Sequence, residues 1–139
     1  MKNQELIKKI EIHLEEQKKE WKHLVYGLGE LYQSFPKLGI KGKRNTEKRI
    51  EDYELEDYLK KTGSVLDIGC NCGFIGLHIY HYVSSYDGIE INPYLVKIAK
   101  EVQEYLNSTN TNFYNIDFIN YNSNKKYDFV FSFASDEVA

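Results

Sequence analysis

The sequence predicts an α/β fold in which helices pack on the faces of a mostly parallel, doubly wound sheet. Two observations carry this prediction. From residue 64 onward, short apolar runs alternate with segments of helical spacing, which is typical of repeated strand-helix-strand units. Before that point the apolar spacing is mostly helical. We therefore expect a helical N-terminal extension or lid over residues 1–62 and a ligand-binding α/β domain over residues 63–139.

The elements follow from the same patterns. An amphipathic helix is expected from residue 4 to about residue 26, where glycines interrupt the apolar spacing. A basic stretch covers residues 37–49, and a further helix is predicted over residues 49–61, ending near residues 62–63. The predicted strands cover residues 64–68, 85–91, 111–116 and 127–133, and the predicted helices between them cover residues 73–82 and 93–106.

Composition excludes several classes of protein. The 139 residues are 42% hydrophobic, which suits one ordinary core, and the net charge of −3 gives no general attraction to nucleic acid or to an anionic membrane. The N-terminus lacks the pattern of a signal peptide, and no segment approaches the length of a membrane-spanning helix. Two cysteines do not make a disulfide framework, so a cytoplasmic protein is expected.

A strand that runs into a glycine turn and then a helix, over residues 65–76, is the most informative segment. Gly69 and Gly73 let the backbone approach a ligand, and the N–H groups that begin the helix are expected to face a carboxylate of that ligand. Many nucleotide-binding folds share such a turn. Asp67 favours a ligand that carries positive charge, because a carboxylate at this strand end would repel a pyrophosphate.

The segment resembles the first motif of the class I S-adenosylmethionine-dependent methyltransferases, a Rossmann-like family in which an acid and alternating glycines follow an apolar strand. Asp67, Gly69 and Gly73 match that motif. Asn71 replaces the middle glycine, and Asn is among the few residues that adopt positive φ readily. The resemblance implies S-adenosylmethionine as the cofactor and adds Cys70, within the turn, to the residues that contact it.

Two later segments resemble the same family. Glu90 ends the second predicted strand, where the family has an acid that binds the ribose hydroxyls, and Ile91 would then flank the adenine. Asp117 follows the third strand, where an acid often contacts the adenine amino group, and Phe118 would lie beside the ring. These roles are implied by the resemblance.

The methyl acceptor is unknown, and its candidate contacts carry less signal. Asp136 and Glu137 follow the fourth strand and are candidates to orient or deprotonate an acceptor. Arg44, Thr46 and Arg49 are candidates to bind an anionic substrate, although the basic stretch also suits a solvated face. No metal site is expected, because Cys70 and Cys72 are too close in sequence for the usual zinc pattern.

The family sheet continues beyond its fourth strand, so an incomplete, truncated sheet is expected here. Either the chain is a fragment, or a partner chain or a second copy in a homodimer covers the exposed edge of the fourth strand. Two alternatives to a methyltransferase remain: a non-catalytic S-adenosylmethionine-binding module, and an NAD-dependent oxidoreductase, which Asp67 disfavours.

Overall fold

The computed structural model describes residues 2–21, 31–59 and 62–132. Its helices are α1 (Lys2–Glu20), α2 (Thr46–Asp52), α3 (Leu55–Leu59), α4 (Phe74–Ile79) and α5 (Pro93–Leu106). Its strands are β1 (Thr62–Ile68), β2 (Val83–Glu90), β3 (Thr111–Asn115) and β4 (Phe129–Phe131). Short 3₁₀ turns occur at Pro36–Leu38, Tyr80–Tyr82 and Phe118–Asn120.

The four described strands form one parallel sheet in the order β3-β2-β1-β4. This order, with α4 and α5 in the first two crossovers and a 3₁₀ turn in the third, confirms the predicted Rossmann-like α/β fold. Val65 of β1 pairs with Tyr86 of β2 and with Phe129 of β4, and Tyr86 pairs with Thr111 of β3. Because all four strands are parallel, their carboxyl ends lie along one edge of the sheet.

Helices α4 and α5 cover one face of the sheet. The Tyr86 ring lies directly against Gly76 of α4, where a Cβ would overlap it. Asp87 must then point to the opposite face, because successive side chains of a strand alternate. There Tyr127 donates a hydrogen bond to the Asp87 carboxylate at 2.6 Å, and the Lys125 ammonium lies 3.2 Å away. The connection over residues 116–128 therefore covers this second face.

Asp87 corrects an interpretation of the sequence. Its neighbour Gly88 suggests a turn or a surface position, but Asp87 is a buried residue of β2. Besides Tyr127 and Lys125, Asn112 of β3 also bonds its carboxylate, at 3.0 Å. The hydrogen bonds compensate for the burial of a polar group, which sequence patterning does not reveal.

The extension packs onto the α/β part. Helix α1 lies against α5, with Leu6 and Ile10 buried and His13 Nε2 3.0 Å from Glu101. One continuous core cluster includes residues of both predicted parts, from Leu6 to Phe131. The prediction that α1 runs to about residue 26 is wrong at its end, since the helix stops at Glu20 and Trp21 is not helical. Residues 22–30 lie outside the described part of the chain.

The helix predicted over residues 49–61 is also wrong in detail. Two short helices stand there, and the first begins at Thr46 because Asn45 accepts a hydrogen bond from the Lys48 N–H as an N-cap. Glu54, with φ of 53°, separates α2 from α3. Strand β1 then begins at Thr62, where the sequence predicts a helix end.

Candidate cofactor site

The carboxyl ends of β1, β2 and β3 bring three predicted acids to one edge of the sheet. Asp67 lies near the end of β1, Glu90 ends β2, and Asp117 follows β3. In open α/β sheets, ligands bind in the crevice beyond this edge. The segments that resemble the family motifs thus converge on one place, although they are widely separated in sequence.

The turn between β1 and α4 needs the residues that the sequence supplies. Gly69, Asn71 and Gly73 have φ of 68°, 59° and 71°, values that favour glycine and are tolerated by asparagine. Gly73 has a second reason to be glycine, because a Cβ there would overlap the Phe113 ring of β3. Cys70 and Cys72 in this turn are both buried, and burial raises the pKa of each thiol.

The backbone N–H groups of the turn already have acceptors within the chain. The Asn71 N–H donates to Glu90 Oε1 at 2.9 Å, and the Cys72 N–H donates to Asn71 Oδ1 at 2.8 Å. The Gly73 N–H donates to the Cys70 carbonyl, and the Phe74 N–H donates to Gln33 Oε1, both at 2.9 Å. The expectation that these N–H groups face a ligand carboxylate is therefore wrong for residues 71–74.

Glu90 is held by the backbone on both of its carboxylate oxygens. Oε1 accepts from Asn71 and Oε2 accepts from the Asn92 N–H, each at 2.9 Å. Burial raises the pKa of Glu90, while these N–H groups oppose the rise. The Ile91 N–H also lowers the pKa of Glu90. An ionised carboxylate has about four lone-pair directions, so Glu90 keeps capacity for at least one further donor. A hydroxyl group, as on a ribose, matches that arrangement.

Apolar side chains border Glu90 at the same edge. Ile91 is 50% exposed and Phe118 is 52% exposed. The two segments are tied together by Asn115, whose side-chain amide donates to the carbonyls of Glu90 and Ile91, each at 2.9 Å. Asp117 Oδ1 accepts from the Ile119 N–H at 3.1 Å, which caps the following 3₁₀ turn and leaves its second oxygen. Exposed apolar groups beside a free acceptor suit an adenine ring.

Asp67 lies below the turn and is buried. Burial raises its pKa to about 7, although the Tyr86 hydroxyl donates to its Oδ2 at 2.5 Å and opposes the rise. Glu90 raises the pKa further, and the guanidinium of Arg49 lowers it. A carboxyl group in this state gains from any added positive charge near it.

The substrate candidates of the basic stretch occupy different environments. Thr46 and Arg49 are buried on α2, and the Arg49 guanidinium lies 5.8 Å from the ring centres of both Tyr32 and Tyr53. Arg44 is half-buried and donates to the Tyr32 hydroxyl at 3.2 Å. Of these three candidates, Arg49 is the one whose charge lowers the pKa of Asp67. Asp136 and Glu137 lie outside the described residues, so their roles stay predictions.

Two residues that sequence reasoning missed complete the site. Gln33 caps the start of α4 through its contact with Phe74, and no local pattern marks it. Gln17 of α1 hydrogen-bonds the side chain of Asn92 at 2.8 Å. Its signal is present in the sequence, since Gln17 falls on the apolar stripe of the first helix with Leu6 and Ile10. Within residues 2–21, 31–59 and 62–132, no group of three His, Cys, Asp or Glu side chains could hold a metal ion.

The family model of a methyltransferase domain matches residues 59–137. The chain belongs to this methyltransferase domain family. Membership confirms the resemblance seen in the sequence and, with it, S-adenosylmethionine as the cofactor of this class. No helix in the described segments of this methyltransferase domain is long and apolar enough to cross a membrane.

Known proteins similar to this methyltransferase domain are longer than it is. Malonyl-[acyl-carrier protein] O-methyltransferase 1 of Ilyobacter polytropus is 38% identical over 78 residues, which are 55% of this chain and 28% of that enzyme. The chain thus spans less than a third of that relative.

Two solved structures share the fold. The bifunctional kinase-methyltransferase WbdD matches with a TM-score of 0.61 and 19% identity, covering 84% of this chain and 27% of that one. An S-adenosylmethionine-dependent methyltransferase of Thiobacillus denitrificans, solved with S-adenosyl-L-homocysteine, matches with a TM-score of 0.53 and 21% identity. This match covers 62% of this chain and 36% of that one. Because the WbdD match covers more than residues 63–139 could supply, it includes part of the N-terminal extension.

Proposed function

We propose that this chain is the S-adenosylmethionine-binding part of a methyltransferase. The observation that carries the proposal is Glu90 at the end of β2, whose two oxygens are fixed by backbone N–H groups and keep capacity for a further donor. A carboxylate so placed accepts a ribose hydroxyl. Ile91, Asp117 and Phe118 stand beside it for the adenine. Asp67, Gly69, Cys70, Asn71 and Gly73 shape the part of the site that faces the amino-acid portion of the cofactor.

A dinucleotide is a poorer match to this site. Glu90 alone does not distinguish S-adenosylmethionine from NAD, because an acid in this position also suits the ribose of NAD. The turn distinguishes the two ligands, since a pyrophosphate needs free backbone N–H groups there. The N–H groups of residues 71–74 are already bonded within the chain, and Asp67 lies on the strand that leads into the turn. This arrangement favours a ligand whose central part is cationic.

S-adenosylmethionine supplies an already activated methyl group, so the chain mainly has to bind and align the cofactor. Asp67 stabilises positive charge near the turn, and Glu90 fixes the ribose end. Arg49 is the substrate-binding candidate with the best support, because its buried guanidinium already acts on Asp67. It would bind an anionic group held near Asp67, with Thr46 and Arg44 on the same segment of the chain.

The organisation of the whole chain is part of the proposal. Residues 1–62 form a helical extension against the cofactor domain of residues 63–139, and a partner chain or a second copy covers the outer edge of β4. The two described cysteines are free, which agrees with a cytoplasmic protein. The acceptor of the Ilyobacter enzyme is not carried over, because the shared segment is 28% of that enzyme.

Calorimetric titration with S-adenosylhomocysteine tests the proposal. The wild-type chain is expected to bind it saturably and to ignore NAD. Glu90→Gln should weaken binding about 10- to 100-fold, because it replaces charge-assisted hydrogen bonds worth roughly 1.5–3 kcal/mol. Glu104→Gln, an exposed change on α5, is the matched control and should leave the affinity unchanged.

Binding of NAD by the folded wild-type chain would contradict the proposal, and so would an unchanged affinity in Glu90→Gln. Methyl transfer is a separate measurement. Binding of S-adenosylhomocysteine without transfer to any acceptor, by the chain together with its partner, would favour the non-catalytic module instead.

A further inference from the structure

Gln17 is an unusual residue for its position. Helix α1 is rich in lysine and glutamate, yet the Gln17 side chain is 0% exposed where α1 packs on α5. Its Oε1 accepts a hydrogen bond from Asn92 Nδ2 at 2.8 Å. Its Nε2 has no hydrogen-bond partner among the described residues. The oxygen, and not the nitrogen, is therefore the atom that the fold uses.

Asn92 connects this contact to the cofactor site. Its side-chain Oδ1 accepts from the N–H groups of Tyr94 and Leu95, at 2.9 Å and 3.4 Å, and so caps α5. The two ends of an amide differ, because one only donates and the other only accepts. If the Asn92 amide turned over, its NH₂ group would face two N–H donors. The acceptor supplied by Gln17 holds the amide in the capping orientation.

Asn92 also holds Glu90, the acid proposed to bind the ribose. The backbone N–H of Asn92 donates to Glu90 Oε2 at 2.9 Å, and Asn92 is itself buried. A shift of the cap therefore moves one of the N–H groups that orient the Glu90 carboxylate. Three hydrogen-bonded residues thus lead from α1, through the start of α5, to the end of β2.

We propose that Gln17 is a positioning residue for ribose recognition: through Asn92 it fixes the carboxylate of Glu90 that receives the cofactor hydroxyls. The inference rests on the proposed function and extends it, since it makes the N-terminal helix part of the cofactor site. Gln17 itself does not contact the cofactor. Its effect must accordingly be selective for the ribose hydroxyls, whereas a contact that only docks α1 would affect all ligands of the site equally.

The test compares two ligands, S-adenosylhomocysteine and its analogue that lacks the ribose 2′-hydroxyl. The measured quantity is the dissociation constant of the deoxy analogue divided by that of S-adenosylhomocysteine, both by calorimetry. Gln17→Met keeps the side-chain length and removes the acceptor, so the ratio should fall about fivefold to tenfold, equivalent to one hydrogen bond of roughly 1 kcal/mol. Gln17→Glu keeps an oxygen at the contact and should retain the wild-type ratio.

Ile10→Ala is the control for general destabilisation, because Ile10 is buried on the same helix and its apolar side chain cannot hydrogen-bond Asn92. It should lower the unfolding temperature without changing the ratio. An unchanged ratio in Gln17→Met, or an equal fall in Ile10→Ala, would overturn the role of Gln17 and leave the proposed function standing. Failure of the wild-type chain to bind S-adenosylhomocysteine would overturn both.

Discussion

The buried carboxyl group of Asp67 is the residue whose charge state matters most. Burial raises its pKa to about 7, and the opposing hydrogen bond from Tyr86 does not remove the effect. Near neutral pH the group is therefore divided between its neutral and ionised forms. A bound sulfonium or ammonium would favour the ionised form, so cofactor binding at pH 7 is expected to release protons.

This pKa predicts how stability changes with pH. A carboxyl group whose pKa is higher in the folded state favours folding below its unfolded value of 3.8, and the contribution is lost as the pH rises to about 7. Asp67→Asn removes this loss. Relative to the wild type, its free energy of unfolding should rise by roughly 2–4 kcal/mol between pH 4 and pH 8. Denaturant unfolding at several pH values measures the difference.

The matched control for Asp67 is Asp52→Asn, since Asp52 is an exposed carboxylate on α2. It measures the effect on stability of replacing an exposed carboxylate by an amide. A pH-independent difference in Asp67→Asn would show that the buried carboxyl does not titrate there. Asp67→Asn should at the same time bind S-adenosylhomocysteine more weakly than the wild type, so a gain in stability would accompany a loss of function.

At the scale of an element, Gly73 in the turn before α4 can be compared with Gly39, which follows the 3₁₀ turn at Pro36–Leu38. Gly73 and Gly39 have nearly the same backbone angle, with φ of 71° and 72°. A Cβ at Gly39 would meet nothing nearer than Ile7 Cδ1 at 3.9 Å, whereas at Gly73 it would overlap Phe113. Gly39→Ala should therefore cost only the backbone term, about 1–2 kcal/mol.

Gly73→Ala should cost the same backbone term and an additional overlap, for a total of about 3–5 kcal/mol. Chemical denaturation of both variants separates the two terms by subtraction. Equal losses in the two variants would mean that Phe113 moves aside freely and that the contact does not constrain the turn.

The same scale shows what the sequence can and cannot predict. The prediction for α5 matches the structure from Pro93 to Leu106, because Pro93 and the apolar spacing mark it locally. The break between α2 and α3 was missed, since Glu54 is not a typical residue for positive φ. The short apolar strands and their succession along the chain were predictable, because the period of the apolar residues and the turn residues are local signals.

The candidate site was predictable only where local motifs report it. Asp67, Gly73 and Glu90 lie in recognisable segments, and the structure places them at one edge of the sheet. Gln33 bonds the Phe74 N–H from a distant segment, which no spacing along the chain reveals. Gln17 lies on the apolar stripe of α1, but its partner Asn92 lies in a distant segment and could not be predicted from that stripe. The internal bonding of the turn N–H groups was missed for the same reason, because its acceptors come from Glu90 and Gln33.

At the scale of the whole molecule, β4 is an edge of the described sheet and Val130 on it is 56% exposed. An exposed edge strand with an apolar side chain pairs readily with another chain. We expect the isolated chain to self-associate through this edge. Val130→Lys should weaken the association at least about tenfold, because a lysine on an edge strand opposes pairing, and sedimentation equilibrium measures the change.

Tyr114→Lys is the control at the opposite edge, where Tyr114 of β3 is 43% exposed. If this change weakens the association as strongly as Val130→Lys does, pairing through β4 is not the cause. If the wild-type chain does not associate at all, the β4 edge is protected in some other way and the proposed partner surface is contradicted.

The closed hydrogen bonding of the glycine turn also has a kinetic meaning. Because residues 71–74 bond to Glu90, Asn71, Cys70 and Gln33 without a ligand, the turn is preorganised and its conformational entropy is lost when the protein folds, not when the cofactor arrives. The amides of this turn should exchange slowly with deuterium in the free protein. Cofactor association should then be limited by diffusion into the crevice and not by a slow ordering of the loop.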